Sequence, residues 1–229
     1  MDKYLERTSS LIGEESLKKI QSKTIMVIGL GGVGGTAFEA LVRSGFKSFI
    51  IVDGDTIDET NLNRQILFTK NDVGRYKAIV AKERALSICP DLNIENFNDF
   101  IDINSIEKFK NFKIDYIVYA IDKIPSKIAI VNFARNRQIP LIMSLGMGKR
   151  IDPEEVCITR LDKTENDPLA KKLRGELRKE NIPLKEINVI FSKENPLNNS
   201  NVIASMMMVP STAGLLITKH IINDIIKEK

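Results

Sequence analysis

Apolar positions along the chain fall into short, almost unbroken runs that alternate with stretches of helical spacing. Residues 24–28 (TIMVI) and 48–52 (SFIIV) are two such runs. Their lack of polar alternation predicts strands buried on both faces, as in a parallel sheet covered by helices. Between them GLGGVGG leads into a helix with Ala37, Leu41 and Val42 on its apolar face, stopping near Gly45. A strand–helix–strand unit of this length predicts a parallel pair.

The alternation continues. Residues 53–69 are polar and read as an irregular loop, and 77–88 as a helix ending before Pro90. Then follow a strand at 94–97, a short helix at 103–109, a strand at 115–121, a helix at 126–137 and a strand at 140–144. Beyond Gly148, 156–161 and 187–191 read as strands, 168–179 as a helix with Pro168 in its first turn, and 210–226 as a C-terminal helix. The pattern predicts an α/β fold with a doubly wound, mainly parallel sheet. Residues 149–229 form an α/β extension continuous with a core over 1–148. No repeat or linker divides the chain, so 1–229 reads as a single domain.

Composition adds exclusions. A chain of 229 residues, 43% hydrophobic and 28% charged, can bury a core without covalent staples. Its two cysteines, Cys89 and Cys157, form no CxxC pair. That excludes a four-cysteine zinc site and points to a reducing, cytoplasmic setting. The opening MDKYLERTSS lacks the apolar run of a signal peptide. The longest uncharged stretch, 195–218, contains Asn198, Asn199, Ser200, Asn201 and Pro210, so no membrane span is expected. The net charge of +4 is concentrated: residues 171–179 (KKLRGELRK) carry five bases against one acid, and the remainder sums to zero. Such a patch can attract a polyanion, although a solvated helix face is the plainer reading of a basic run.

Gly29, Gly31 and Gly34 form GxGxxG between a strand and a helix. A tight turn, a close backbone approach and the unpaired N–H groups of the helix start make a phosphate site. Asp53, at the end of the second strand, suits the hydroxyls of an adenosine ribose. Taken alone, these residues fit a nicotinamide-dependent oxidoreductase. The following DGDTIDETNLNRQILF and DVGRYKA change the picture. Arg64 and Lys77 supply charge, and Asn61 and Gln65 neutral hydrogen bonds, which suit a triphosphate losing pyrophosphate.

GLGGVG, DGDTIDETNLNRQ, VGRYK and YAID, in that order, resemble the ubiquitin-activating-enzyme superfamily in its bacterial ThiF/MoeB/HesA form. The resemblance implies a Rossmann-like adenylating enzyme, a homodimer that uses ATP and Mg2+ to turn a carboxylate into an acyl adenylate. It places Gly29, Gly31, Gly32, Gly34 and Asp53 around AMP, with Asp55 in the same acidic turn. It places Asn61, Arg64, Gln65 and Lys77 around the triphosphate. Asp122, expected at the end of the fourth strand, would hold magnesium, and Arg7 would reach into the partner subunit's ATP site.

RIDPEEV, ITRLDKTENDPLAKKLRGELRK and VIFSKENP extend the resemblance over nearly the whole chain, to the branch that dehydrates threonylcarbamoyladenosine in tRNA. That branch activates the nucleoside's carboxylate with ATP, and the side chain closes on itself with loss of water, releasing AMP and pyrophosphate. The implied partner is tRNA carrying threonylcarbamoyladenosine. Lys171, Lys172, Arg174, Arg178 and Lys179 would contact its phosphates, with Lys171, Arg174 and Arg178 on one helix face. A cysteine desulfurase or sulfur-acceptor protein stays open as a further partner.

Intramolecular closure needs no enzyme thiol, in keeping with the lack of a cysteine after Cys157. An adenylating enzyme for a Gly-Gly-tailed sulfur-carrier protein is the main alternative, and the missing CxxC pairs count against it. An oxidoreductase would leave Arg64 and Lys77 idle, and a non-enzymatic nucleotide-binding module would not need every ATP-site residue. Cys157 reads as a core residue, and His220, the only histidine, as a structural one. Met206, Met207 and Met208 read as core or dimer contacts. Lys193 and Glu194 lie in a polar loop without an assigned role.

Overall fold

The computed structural model describes residues 2–197 and 204–227; Asn198, Asn199, Ser200 and Asn201 lie outside them. Among the described residues the strands are β1 (Thr24–Ile28), β2 (Ser48–Val52), β3 (Asn93–Phe97), β4 (Tyr116–Tyr119), β5 (Leu141–Ser144), β6 (Val156–Arg160) and β7 (Asn188–Ser192). They form one sheet in the order β3-β2-β1-β4-β5-β7-β6. Every neighbouring pair is parallel except β6 with β7. The chain winds outward from β1 in one direction and then from β4 in the other, so a crevice opens between β1 and β4 at their carboxyl ends. Ile28 pairs with both Val52 and Tyr119, which brings β1, β2 and β4 to that edge in level register.

The sheet separates two hydrophobic cores. In β1, Ile25 and Val27 face one core and Met26 and Ile28 the other, the two-residue period of an extended chain. The first core is covered by α3 (Gly32–Ser44), α4 (Lys77–Ile88) and α7 (Met208–Lys227). The second is covered by α5 (Ile124–Asn136) and α6 (Pro168–Lys179). Two short helices, α1 (Glu6–Ile12) and α2 (Glu14–Gln21), precede β1, and α2 packs against α7. Among the described residues no helix is long and apolar enough to cross a membrane.

Several boundaries differ from the expected ones for local reasons. β4 ends at Tyr119 rather than residue 121: Ala120 N donates one last bond to Ile28 O, and the chain then turns out of the ladder. α5 begins at Ile124 and α7 at Met208, each two residues early, because Pro125 and Pro210 fall in first turns where no intrahelical N–H is needed. The short helix expected at 103–109 is a 3-10 helix over Ser105–Phe109.

α3 and α7 meet backbone to backbone. A Cβ at Gly214 would stand 2.6 Å from Val33 O and 2.7 Å from Thr36 Cβ. Overpacking of this kind costs roughly 1–3 kcal/mol or more, against the ~1 kcal/mol that alanine gains over glycine inside a helix. Gly214→Ala is therefore expected to lower stability by about 1 kcal/mol or more net. A urea unfolding midpoint equal to that of the unsubstituted chain would show that the two helices separate freely.

Candidate active site

The carboxyl edge of β1, β2, β4 and β5 encloses a cavity of about 450 Å³. Gly29, Gly31, Gly32, Asp53, Asp55, Asn61, Arg64, Gln65, Lys77 and Asp122 all line it, so the sequence motifs converge on one place. Gly34 does not line it. A Cβ there would stand 1.8 Å from Gly29 O, so Gly34 lets the glycine turn close on the start of α3. Gly29 itself has φ +89°, a conformation that favours glycine. No side chain caps α3, which leaves the N–H groups of its first turn for a ligand at Gly31 and Gly32.

Asp53 joins two turns. Its Oδ2 accepts from Leu30 N at 2.6 Å and its Oδ1 from Asp55 N at 2.9 Å. Burial pushes its carboxyl pKa up, and the charge of Lys77 pulls it back. Lys77 is the first residue of α4, drawn under the acidic turn by a bond from its N–H to Asp55 O and by the Thr56–Tyr76 bridge. The buried Lys77 Nζ stands 3.0 Å from Asp55 Oδ2.

Asn61 ends a 3-10 turn over Glu59–Asn61 whose capping box uses Asp58 and the side-chain oxygen of Asn61, and Arg64 and Gln65 follow it. Arg64 donates to Thr60 O and Asn63 Oδ1, each at 2.9 Å. Gln65 is buried at the cavity, and its Oε1 has no hydrogen-bond partner.

Asp122 lies beyond the end of β4, in the loop before α5, and not at the strand's end as expected. The strand is shorter than its apolar run because Ala120 and Ile121 turn aside to line the cavity. Asp122 opens into the cavity and is exposed there, although protein atoms crowd its carboxyl. That enclosure raises its carboxyl pKa, and the charge of Lys127 opposes the rise.

Lys127 escaped the sequence reading. It is fully buried on α5, donates to Ser144 O at 2.5 Å and stands 5.0 Å from the Tyr119 ring centre. Burial lowers its pKa to about 8 against the pull of Asp122 and Asp167. The available signal was a lysine at core spacing between the buried Ile124 and Val131. Phe100 and Lys123 were also missed; they stand at the rim with the ammonium 4.8 Å from the ring centre.

Other expected residues lie elsewhere. Lys171, Lys172, Arg178 and Lys179 are exposed on α6, but Arg174 is half-buried and engages the carbonyl and hydroxyl of Thr164. Helical spacing placed Arg174 with the solvated bases, whereas the fold uses it as a tether to the preceding loop. Arg7 is exposed on α1 beside Glu6, Ser10 and Leu11, away from the cavity. His220 pairs with Asp224 at 3.3 Å, and Asp224 also accepts from Tyr116 at the amino end of β4, at the opposite sheet edge. Cys89 is buried and Cys157 half-buried, and neither lines the cavity. Met206, Met207 and Met208 are 40–50% exposed, so they are not core residues. Glu194 staples a loop by accepting from Ile151 N and Asp152 N, and Lys193 N donates to Glu155 O.

The sequence model of the ThiF family matches residues 5–220. The chain belongs to the ThiF family. A tRNA threonylcarbamoyladenosine dehydratase of Bacillus subtilis (strain 168) is 36% identical to it over 97% of this chain and 94% of that protein. The crystal structure of an E. coli tRNA N6-threonylcarbamoyladenosine dehydratase in complex with ATP matches with a TM-score of 0.92 and 32% identity, over 98% of this chain and 96% of that one. A probable molybdopterin-synthase adenylyltransferase of Porphyra purpurea is 40% identical, but over 52% of this chain and 30% of its own length.

Within this ThiF-family frame, the unpaired Gln65 oxygen marks a site shaped for something other than stability. A buried unpaired acceptor costs about 1–3 kcal/mol. Gln65→Leu is therefore expected to leave the ligand-free protein as stable as before, or about 1 kcal/mol more so. A marked drop in the urea midpoint would show that the amide is held by the fold.

Proposed function

We propose that this ThiF-family chain is an ATP-dependent tRNA threonylcarbamoyladenosine dehydratase, adenylating the threonylcarbamoyl carboxylate and cyclising it. The observation that carries the reading is the end-to-end match to dehydratases, including the 149–229 extension, together with the convergence of ten motif residues on one cavity. The partial match to the molybdopterin-synthase adenylyltransferase supports the shared nucleotide core and not its Gly-Gly substrate. A tRNA substrate supports a cytoplasmic setting.

The glycine turn and the start of α3 receive the phosphates, and Asp53 the ribose hydroxyls. Two of Asp53's lone pairs are taken by backbone N–H groups, which fixes its orientation and leaves acceptor capacity for the sugar. Arg64 and Lys77 neutralise the β- and γ-phosphates; Lys77 exchanges part of its contact with Asp55 for phosphate oxygen. Among the described residues no cluster of three or more His, Cys, Asp or Glu could hold a metal unaided. Asp122, one of three carboxylates lining the cavity with Asp53 and Asp55, would hold a magnesium ion, which would supply positive charge for the leaving pyrophosphate.

The substrate carboxylate attacks the α-phosphorus, pyrophosphate leaves, and the side-chain nitrogen displaces AMP from the activated carbonyl. Attachment of that nitrogen supplies the high effective concentration that removes the need for a thiol. Both cysteines lie away from the cavity, and His220 sits at the wrong edge of the sheet for proton transfer. Arg7 on α1 reaches the cavity of a second subunit in a homodimer. That suits its distance from the cavity in its own chain.

The deciding experiment is pyrophosphate release from magnesium ATP with and without threonylcarbamoyl-modified tRNA, with mass analysis of the nucleosides. Release that depends on the modified tRNA, with loss of one water from the nucleoside, is the expected result, and Asp122→Ala should abolish it. Release stimulated only by a Gly-Gly-tailed protein would transfer the activity to the sulfur-carrier alternative.

The exposed bases of α6 supply the tRNA contacts. Because Arg174 serves Thr164, the informative variant is Lys171→Glu with Arg178→Glu. It is expected to weaken tRNA binding at least about tenfold at moderate salt while ATP affinity holds. Equal tRNA affinity would remove α6 from the interface.

A further inference from the structure

Behind the cavity lies a row of buried charges that the roles above leave unused. The segment from Ser144 to Gly148 forms one wall of the cavity, and three charged side chains hold it from behind. Lys127 donates to Ser144 O at 2.5 Å. Asp167 accepts from Gly146 N at 3.1 Å. Arg150 donates to Gly146 O at 2.5 Å and Gly148 O at 3.3 Å, and its guanidinium stands 4.0 Å from Asp167. Lys127, Arg150 and Asp167 are at most 5% exposed. Asp167 also caps α6 by accepting from Ala170 N, so one carboxylate joins the cavity wall to the basic helix.

Buried charge is expensive unless it is paired, and a well-packed apolar side chain often replaces it without loss of stability. A lysine used only for packing would need one partner. Lys127 instead faces two acids from different parts of the chain, Asp122 at the cavity and Asp167 under α6. The charges alternate from Asp122 through Lys127 and Asp167 to Arg150.

We infer that Lys127 is a positioning residue of the adenylation site: its buried ammonium anchors the Ser144 wall and supplies fixed positive charge behind the bound phosphate, with Asp167 setting how much of that charge the cavity feels. The inference rests on the proposed adenylation activity and adds to it residues that do not touch the nucleotide. A preorganised charge in a water-poor wall acts more strongly than an exposed one and needs no rearrangement when the ligand arrives.

The test compares Lys127→Gln, Lys127→Met, Asp167→Asn and the Lys127→Met/Asp167→Asn double variant with the unsubstituted enzyme. AMP affinity is measured by calorimetry at neutral pH in EDTA, so that no metal contributes, and melting temperatures are recorded in parallel. Glutamine can keep a bond to Ser144 O without the charge, so it separates charge from anchoring and substitutes if Lys127→Met fails to fold. Both Lys127 variants are expected to raise the AMP Kd by about fivefold or more. Asp167→Asn alone should lower it by a similar factor, because the cavity then feels the full ammonium charge. The double variant should recover most of the loss, because one charge of each sign is gone and the balance is restored. AMP binding unchanged in the Lys127 variants, or a double variant that binds AMP no better than Lys127→Met, would overturn the inference while leaving adenylation standing. Failure of the unsubstituted chain to bind AMP would overturn both, and is read directly from the control.

Discussion

The two hydrogen bonds received by Asp53 join the end of β1 to the end of β2. Leu30 N belongs to the glycine turn and Asp55 N to the acidic turn, so one carboxylate sets the spacing between two turns that line the cavity. Its orientation depends on β1 and β2 ending level, which the Ile28–Val52 pairing secures. The register in turn depends on each strand placing alternate residues into two separate cores. A slip of one residue would exchange those faces and move Asp53 away from the turn. Packing of the interior and geometry of the site are the same constraint at this point.

Around that anchor the cavity is built on buried cations opposed by carboxylates. Lys77 meets the exposed Asp55, and the charges of Asp122 and Asp167 act on Lys127. Such arrangements contribute little net stability, because desolvation offsets most of the attraction. They make sense as preorganisation: a triphosphate enters a site whose cations already point inward. The unpaired Gln65 oxygen follows the same logic, since an atom left unsatisfied in the empty protein is available to a ligand.

The extension after Gly148 is tied to this cavity by its packing and hydrogen bonds. β6 runs antiparallel along the sheet edge and α6 covers the second core, so the extension has no core of its own. Its basic surface and the cavity wall share Asp167, and Arg150 bonds at once to the wall and to the loops at Asn166 and Glu194. The basic helix and the cavity wall thus rest on one buried polar network.

The sequence by itself determined the alternation of strands and helices, the glycine turn and the ligand-facing residues between Gly29 and Lys77. Those features are local: a strand buried on both faces, a helix start and a short polar loop each write their requirements into consecutive residues. Asp122 was identifiable for the same reason, although its place beyond the strand was not, because Ala120 and Ile121 continue an apolar run that reads as strand while turning aside to line the cavity. Only the tertiary structure showed Lys127 as a buried cation, since its partners Ser144 and Asp167 are distant in sequence and a lysine at core spacing looks like an interruption. The same holds for Arg174, which helical spacing assigns to solvent and Thr164 draws inward. Local sequence specifies which atoms face a ligand, whereas the balance of buried charge depends on contacts between segments that only folding brings together.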